Sequence, residues 1–148
     1  MADLLRKKVA ENRGDEMWDK VGKKMDIGEP IPMKLCREVL YGAMQDHEGT
    51  SWGYVVEGYP RTQAQASDFE NVVGRIDVGI LIDCTEQYCT KNVTERYDKA
   101  VTTGTQRADD QSDVFKQRML FFKQNTLPML KYLDDKSKLR VVRADADT

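Results

Sequence analysis

The sequence is poor in the residues that build covalent frames and metal centres: its 148 residues include three cysteines, one histidine and four prolines. Cys36, Cys84 and Cys89 make an odd set with no CxxC pair, which argues against a disulfide-stapled scaffold and for reduced thiols in a reducing compartment. Cys84 ends an apolar run and is expected as a small buried residue. His47 stands alone in the polar run DHEGTS, so neither a zinc centre nor a Ser-His-Asp triad has its parts. No apolar stretch is long enough to span a bilayer. The opening MADLLRKKVAENRGDE lacks the apolar centre of a secretory signal and carries too many acids for a transit peptide. These absences set the expectation of a cytoplasmic protein with no membrane partner. Charge of one sign is missing as well. Lys and Arg number 23 against 25 Asp and Glu, mixed along the chain, so no general nucleic-acid partner is expected. There is no repeat, low-complexity tract or linker, and the length suits one domain with a real core.

What is present is an alternation of helical and strand-like patterns. Asp3 to Glu11 reads as a helix with Leu4, Leu5 and Val9 on one face. A second helix runs from about Glu16 to Ile27 and is ended by Gly28. Pro30 and Pro32 force an extended turn, and Pro32 opens a third helix, Met33 to Gln45. Three short apolar runs follow: Trp52 to Val56, Val78 to Ile82, and Leu139 to Val142. Their continuous apolarity predicts strands buried on both faces, as in a parallel sheet covered by helices. Helical stretches lie between them at Gln63 to Val73, Glu86 to Tyr97 and Gln111 to Leu133. Thr85 is the expected N-cap of the second. Asp109 and Asp110 stand where the third should begin, and Pro128 should kink or split it. This order indicates an α/β fold with right-handed crossovers. Three strands are few for a sheet with helices on two faces.

Three groups of residues carry possible chemistry. In Glu57-Gly58-Tyr59-Pro60-Arg61, a strand leads into a turn fixed by Gly58 and Pro60. That places the Arg61 guanidinium at the carboxyl edge of a parallel sheet, where ligands bind. Arg61 can grip a phosphate with its fork, and Gln65, one turn on, can read a base edge. An ordinary strand-to-helix turn with an exposed arginine explains the pentapeptide equally well. The second group is Arg96, a polar loop YDKAVTTGTQ that looks mobile, then Arg107-Ala108-Asp109-Asp110 and Arg118. A helix-loop-helix would bring three guanidinium groups together, as a transferring phosphoryl group requires. Pairing with Asp98, Asp109 and Asp110 is the competing explanation. The third is Arg6 in Asp3-Leu4-Leu5-Arg6, by itself a surface arginine.

Taken in order, these pieces resemble the adenylate kinase family, closest to its short-lid cytosolic type. The resemblance runs over nearly the whole chain: the DLLR helix at Asp3 to Arg6, the turn Gly28-Glu29-Pro30-Ile31-Pro32, the Gly-aromatic-Pro-Arg turn with Gln65, and the Arg-x-Asp-Asp at Arg107 to Asp110 followed by Arg118. It implies a three-layer α/β/α parallel sheet of the P-loop-kinase kind. Residues of about 3–48 would be AMP-binding helices, 52–95 and 111–148 core, and 96–110 a lid. It further implies reversible phosphoryl transfer from ATP to AMP giving ADP, with AMP, ATP and ADP as ligands and Mg²⁺ accompanying ATP. Arg6 and Arg61 would hold the AMP phosphate beside Gly58, Ile31 would touch adenine, and Gln65 would read its edge. Arg96, Arg107 and Arg118 would surround the phosphates during transfer. Glu57 stands where the family has an Asp that helps place Mg²⁺.

The sequence also departs from the family. No G-x-x-x-x-G-K-[ST] occurs, so the Gly-rich loop, the central first strand before it and the helix after it are expected to be missing, on the order of 30 residues. Such a loss removes backbone N–H groups that cradle ATP and exposes apolar surface on the neighbouring strands. Poor stability alone, a completing segment or self-association is the expected consequence. Asn92 and Gln111 also differ on the ATP side. Two functions compete: a kinase whose ATP half is supplied from outside these residues, inactive without it, and a catalytically dead AMP-binding or protein-interaction module.

Overall fold

A computed structural model describes residues 1–144 of the chain. The last four positions of the expected 111–148 core segment lie outside the described residues. By its internal contacts the chain divides into two units, the first comprising Met1–Tyr59 and the second beginning at Pro60.

The first unit is helical. Helix α1 (Ala2–Glu11) packs on α2 (Glu16–Asp26) and α3 (Met33–Gln45). Its core is Leu5, Val21, Cys36, Val39, Leu40 and Tyr59. Asp15 starts α2 by accepting hydrogen bonds from the Met17 and Trp18 N–H groups at 2.9 and 3.0 Å, which satisfies two otherwise orphaned donors. Helix α2 stops where Gly28 turns to φ +73°, a conformation that costs a side chain-bearing residue energy. Helix α3 begins directly after Pro32, and its expected bounds match the observed ones.

Trp52 to Val56 corrects the expectation of a strand. The run joins no ladder among the described residues, and Trp52 and Val55 are fully exposed. Aromatic and β-branched composition suits a pleated surface, yet a strand forms only where a neighbour accepts its hydrogen bonds.

The second unit is α/β. Helix α4 (Gln63–Val73) leads to β1 (Gly79–Asp83). Then come α5 (Glu86–Thr103), a 3₁₀ turn (Ala108–Asp110), α6 (Ser112–Phe121), α7 (Leu127–Asp135) and β2 (Leu139–Arg143). Strands β1 and β2 pair in parallel, Gly79 opposite Leu139 and Asp83 opposite Arg143. One sheet face, with Leu81 and Leu139, packs on the cluster of Ala66, Met129, Leu130 and Leu133 from α4 and α7. The Gly79 backbone lies so close to α7 that a Cβ there would sit 2.8 Å from Leu133 Cδ1. The other face carries Ile80, Ile82 and Val142, which are 62, 60 and 51 % exposed. Cover on both faces, expected from continuous apolarity, is therefore present on one.

One further difference has a local cause. Helix α5 runs through the sequence expected as a mobile loop and ends at Thr103, where Gly104 adopts φ +67° and caps it. Pro128 splits the long helix as expected: α6 ends at Phe121, Phe122–Thr126 form a π turn, and Pro128 sits in the first turn of α7, where its missing N–H costs little.

Candidate functional site

Four of the expected site residues lie in the first unit. Arg6 follows the buried Leu5 on α1 and is ion-paired to Asp3, one turn back, at 2.9 Å. Ile31 is half-buried in the turn before α3, and its carbonyl accepts a weak bond from Cys36 Sγ at 3.8 Å. Gly58 has φ +73°, which explains a glycine there. The Glu57 carbonyl accepts a hydrogen bond from the amino terminus at 2.9 Å, so α1 and the Gly58 turn are tied together while the residue stays exposed.

Arg61 and Gln65 open the second unit. Thr62 caps α4 by accepting from the Gln65 N–H at 3.2 Å, which places Gln65 in the first helical turn. Its side-chain Oε1 then accepts from the Arg61 N–H at 2.8 Å. Thr126 Oγ1 donates to the Arg61 carbonyl at 3.1 Å. The Arg61 backbone is thus held on both sides, and the residue is exposed. Thr126 had no signal in the sequence, because its partner is distant along the chain.

The strongest geometry is at Asp110. This carboxylate is buried, its side chain 2 % exposed, at the end of the 3₁₀ turn. Arg96, on α5, donates to it through both Nε, at 2.8 Å, and Nη2. Such a two-point grip is geometrically specific. Arg118, on α6, lies 4.0 Å from the same carboxylate and 3.6 Å from Asp109, and donates to the Asp109 carbonyl at 3.2 Å. Its Asp110 hydrogen bond holds the Arg96 guanidinium above its usual pKa, against the opposing cost of partial burial. Two of the three expected arginines therefore converge. The third, Arg107, precedes the turn with its side chain exposed and its carbonyl accepting from the Asp110 N–H at 3.1 Å. A groove of about 320 Å³, walled by Thr90, Thr94, Tyr97 and Phe115, also borders Asp110.

The pairing with acids that competed with a phosphate role is real for Asp109 and Asp110. The Arg-x-Asp-Asp spacing was visible. What sequence reasoning missed is that Asp110 is buried and positions the arginines, rather than serving only the start of a helix. Cys84 corrects another expectation: it is half-buried, because it follows the last residue of β1 and lies at the mouth of the next helix.

Among the described residues no group of three His, Cys, Asp or Glu is arranged to hold a metal. Mg²⁺ in phosphoryl-transfer sites commonly keeps waters and needs only one or two carboxylates plus phosphate oxygens. Glu57, the carboxylate expected to help place Mg²⁺, is exposed.

Comparison with known proteins identifies the family. The family profile described as adenylate kinase matches residues 1–138. Bovine (Bos taurus) adenylate kinase isoenzyme 5 is 29 % identical over 148 residues, covering 99 % of this chain and 25 % of that protein. Human (Homo sapiens) adenylate kinase isoenzyme 1 is 27 % identical, with 97 and 70 % covered. Isoenzyme 1 of Caenorhabditis elegans is 31 % identical, with 97 and 65 % covered. The chain spans a quarter of the isoenzyme 5 relatives and about two thirds of the isoenzyme 1 proteins. With a family match over most of its length, an α/β fold and a parallel strand pair, the chain belongs to the adenylate kinase family.

Proposed function

We propose that this chain serves nucleoside monophosphate phosphoryl transfer of the adenylate kinase type, ATP and AMP giving two ADP, and that it carries the AMP side of the reaction. The observation that supports this best is the pair Arg96 and Arg118 held beside one buried carboxylate. Asp110 keeps both guanidinium groups in place before any phosphate arrives, and a phosphoryl group entering beside them meets positive charge that need not be reorganised. The nucleophile is an AMP phosphate oxygen, so the protein supplies position and charge rather than a covalent intermediate. Arg107, exposed just before the 3₁₀ turn that ends in Asp110, is the arginine proposed to complete the set.

The AMP roles proposed for single residues rest on the family motifs that carry them: phosphate contact for Arg6 and for Arg61, backbone approach for Gly58, base contact for Ile31 and base-edge reading for Gln65. Mg²⁺, when bound with ATP, neutralises phosphate charge, and Glu57 is the residue proposed to face it. Three thiols with no disulfide suit a reducing, cytoplasmic setting. The exposed Ile80, Ile82 and Val142 favour self-association or a completing segment.

Titration calorimetry tests the reading. AMP should bind, and Arg61→Ala should weaken it about tenfold to a hundredfold, the worth of a charge-assisted phosphate contact. The 148 residues hold no G-x-x-x-x-G-K-[ST]. ATP binding and ADP formation by this polypeptide alone should accordingly be slight. AMP binding with no turnover, even when the missing loop is supplied as a fused segment, would favour the AMP-binding module instead. No binding of either nucleotide would sink both.

A further inference from the structure

Cys84 and Cys89 flank the N-cap of α5, and their sulfur atoms lie 3.1 Å apart. The approach follows from local structure. Thr85 accepts from the Tyr88 N–H at 3.2 Å, and its carbonyl accepts from the Cys89 N–H at 3.0 Å, so the first turn is fully formed. Helical side chains lean toward the helix N-terminus. Cys89 therefore reaches back over Thr85 to Cys84, which is held by the end of β1 at Asp83. Both residues are half-buried and open to a small reagent, whereas Cys36 is 6 % exposed inside the helical unit. A disulfide needs a separation of about 2.05 Å, so bond formation asks for a shift on the order of 1 Å from side chains already facing each other.

From this geometry we infer that Cys84 and Cys89 form a reversible redox site, a dithiol that closes to an intrachain disulfide with a small disulfide oxidant such as oxidised glutathione. The chemistry balances. One cysteine thiolate attacks a sulfur of oxidised glutathione and expels a glutathione thiolate. The second thiolate attacks the resulting mixed disulfide at the protein sulfur and expels the other glutathione. Two thiols lose two protons and two electrons in all, and one oxidised glutathione becomes two reduced molecules. The ring is short and partly exposed, which places the bond among the labile, easily reduced disulfides rather than the structural ones. Closure ties the end of β1 to the first turn of the helix that carries Arg96, and leaves the Thr85 cap in place.

The test uses the full chain in buffers of increasing oxidised-to-reduced glutathione ratio, quenched with acid and alkylated after denaturation. Two of the three thiols should disappear together, with the mass falling by two hydrogens. Cleavage after Glu86, which lies between the two cysteines, should leave fragments joined until a reductant is added. Cys84→Ser should convert the product to a lasting glutathione adduct on Cys89. A wild-type protein that accumulates such an adduct without an internal bond would overturn the inference. So would oxidation of Cys36 in step with the other two. Neither result depends on nucleotide binding, so the phosphoryl-transfer reading stands or falls separately.

Discussion

Asp110 shows how much one side chain can organise. Among the described residues it is the buried charged one, and it draws arginines from two helices. Replacing it by Asn keeps the shape and removes the charge. Arg96 is half exposed and can turn to water, so the cost stays near that of a hydrogen bond to a charged group, about 1–3 kcal/mol. A lower urea midpoint with an unchanged slope is expected for Asp110→Asn. A midpoint equal to the parent's would mean the carboxylate does not hold the turn. Its neighbour in sequence, Asp109, and the arginines around both were legible from spacing. Burial was not, because it depends on α5 and α6 closing over a turn that neither helix contains.

Between elements, a three-point polar junction stands at Glu70 on α4. Its carboxylate accepts from Tyr132 at 2.6 Å, Lys136 at 2.5 Å and Lys138 at 2.7 Å, joining α4 to α7 and to the turn before β2. Chiefly the Lys136 hydrogen bond, then those of Lys138 and Tyr132, bring the carboxyl pKa down from 4.5 to about 2. A depressed carboxylate contributes its stability above the unfolded value and loses it as pH falls through the folded one. Thermal stability should therefore drop between about pH 4.5 and 2, and Glu70→Gln should flatten that limb while lowering stability at pH 7. Beneath this junction Leu133, 3 % exposed, fills the space against Gly79. Leu133→Ala should cost about 2–5 kcal/mol by equilibrium denaturation, the range for a cavity in a packed core. The helices themselves were readable from period and caps: α3 and α4 fall on their expected residues, and Thr85 caps α5 as foreseen. The end of α5 was not, since YDKAVTT is polar enough for a loop and only the Gly104 cap marks the stop.

For the molecule as a whole, the notable surface is the exposed sheet face of Ile80, Ile82 and Val142. A two-stranded parallel sheet with one bare face is marginal in water, and apolar side chains gain about 25 cal/mol for each Å² they hide. Sedimentation velocity should show association that grows with concentration, and the double variant Ile80→Thr/Ile82→Thr should reduce it. A monomer at all concentrations with no gain from the variant would mean that this face needs no cover.

The sequence alone determined the helices, the two paired strands, the family and the short list of arginines. These depend on periodicity, capping and motif order, which act over a few residues or one turn. Tertiary structure decided which of those arginines meet, that Asp110 is their shared partner, and that WGYVV joins no ladder among the described residues. It also brought Cys84 and Cys89 face to face across the cap of α5. Each of those outcomes rests on what stands opposite a residue in space, and neither hydrophobic pattern nor spacing along the chain encodes that.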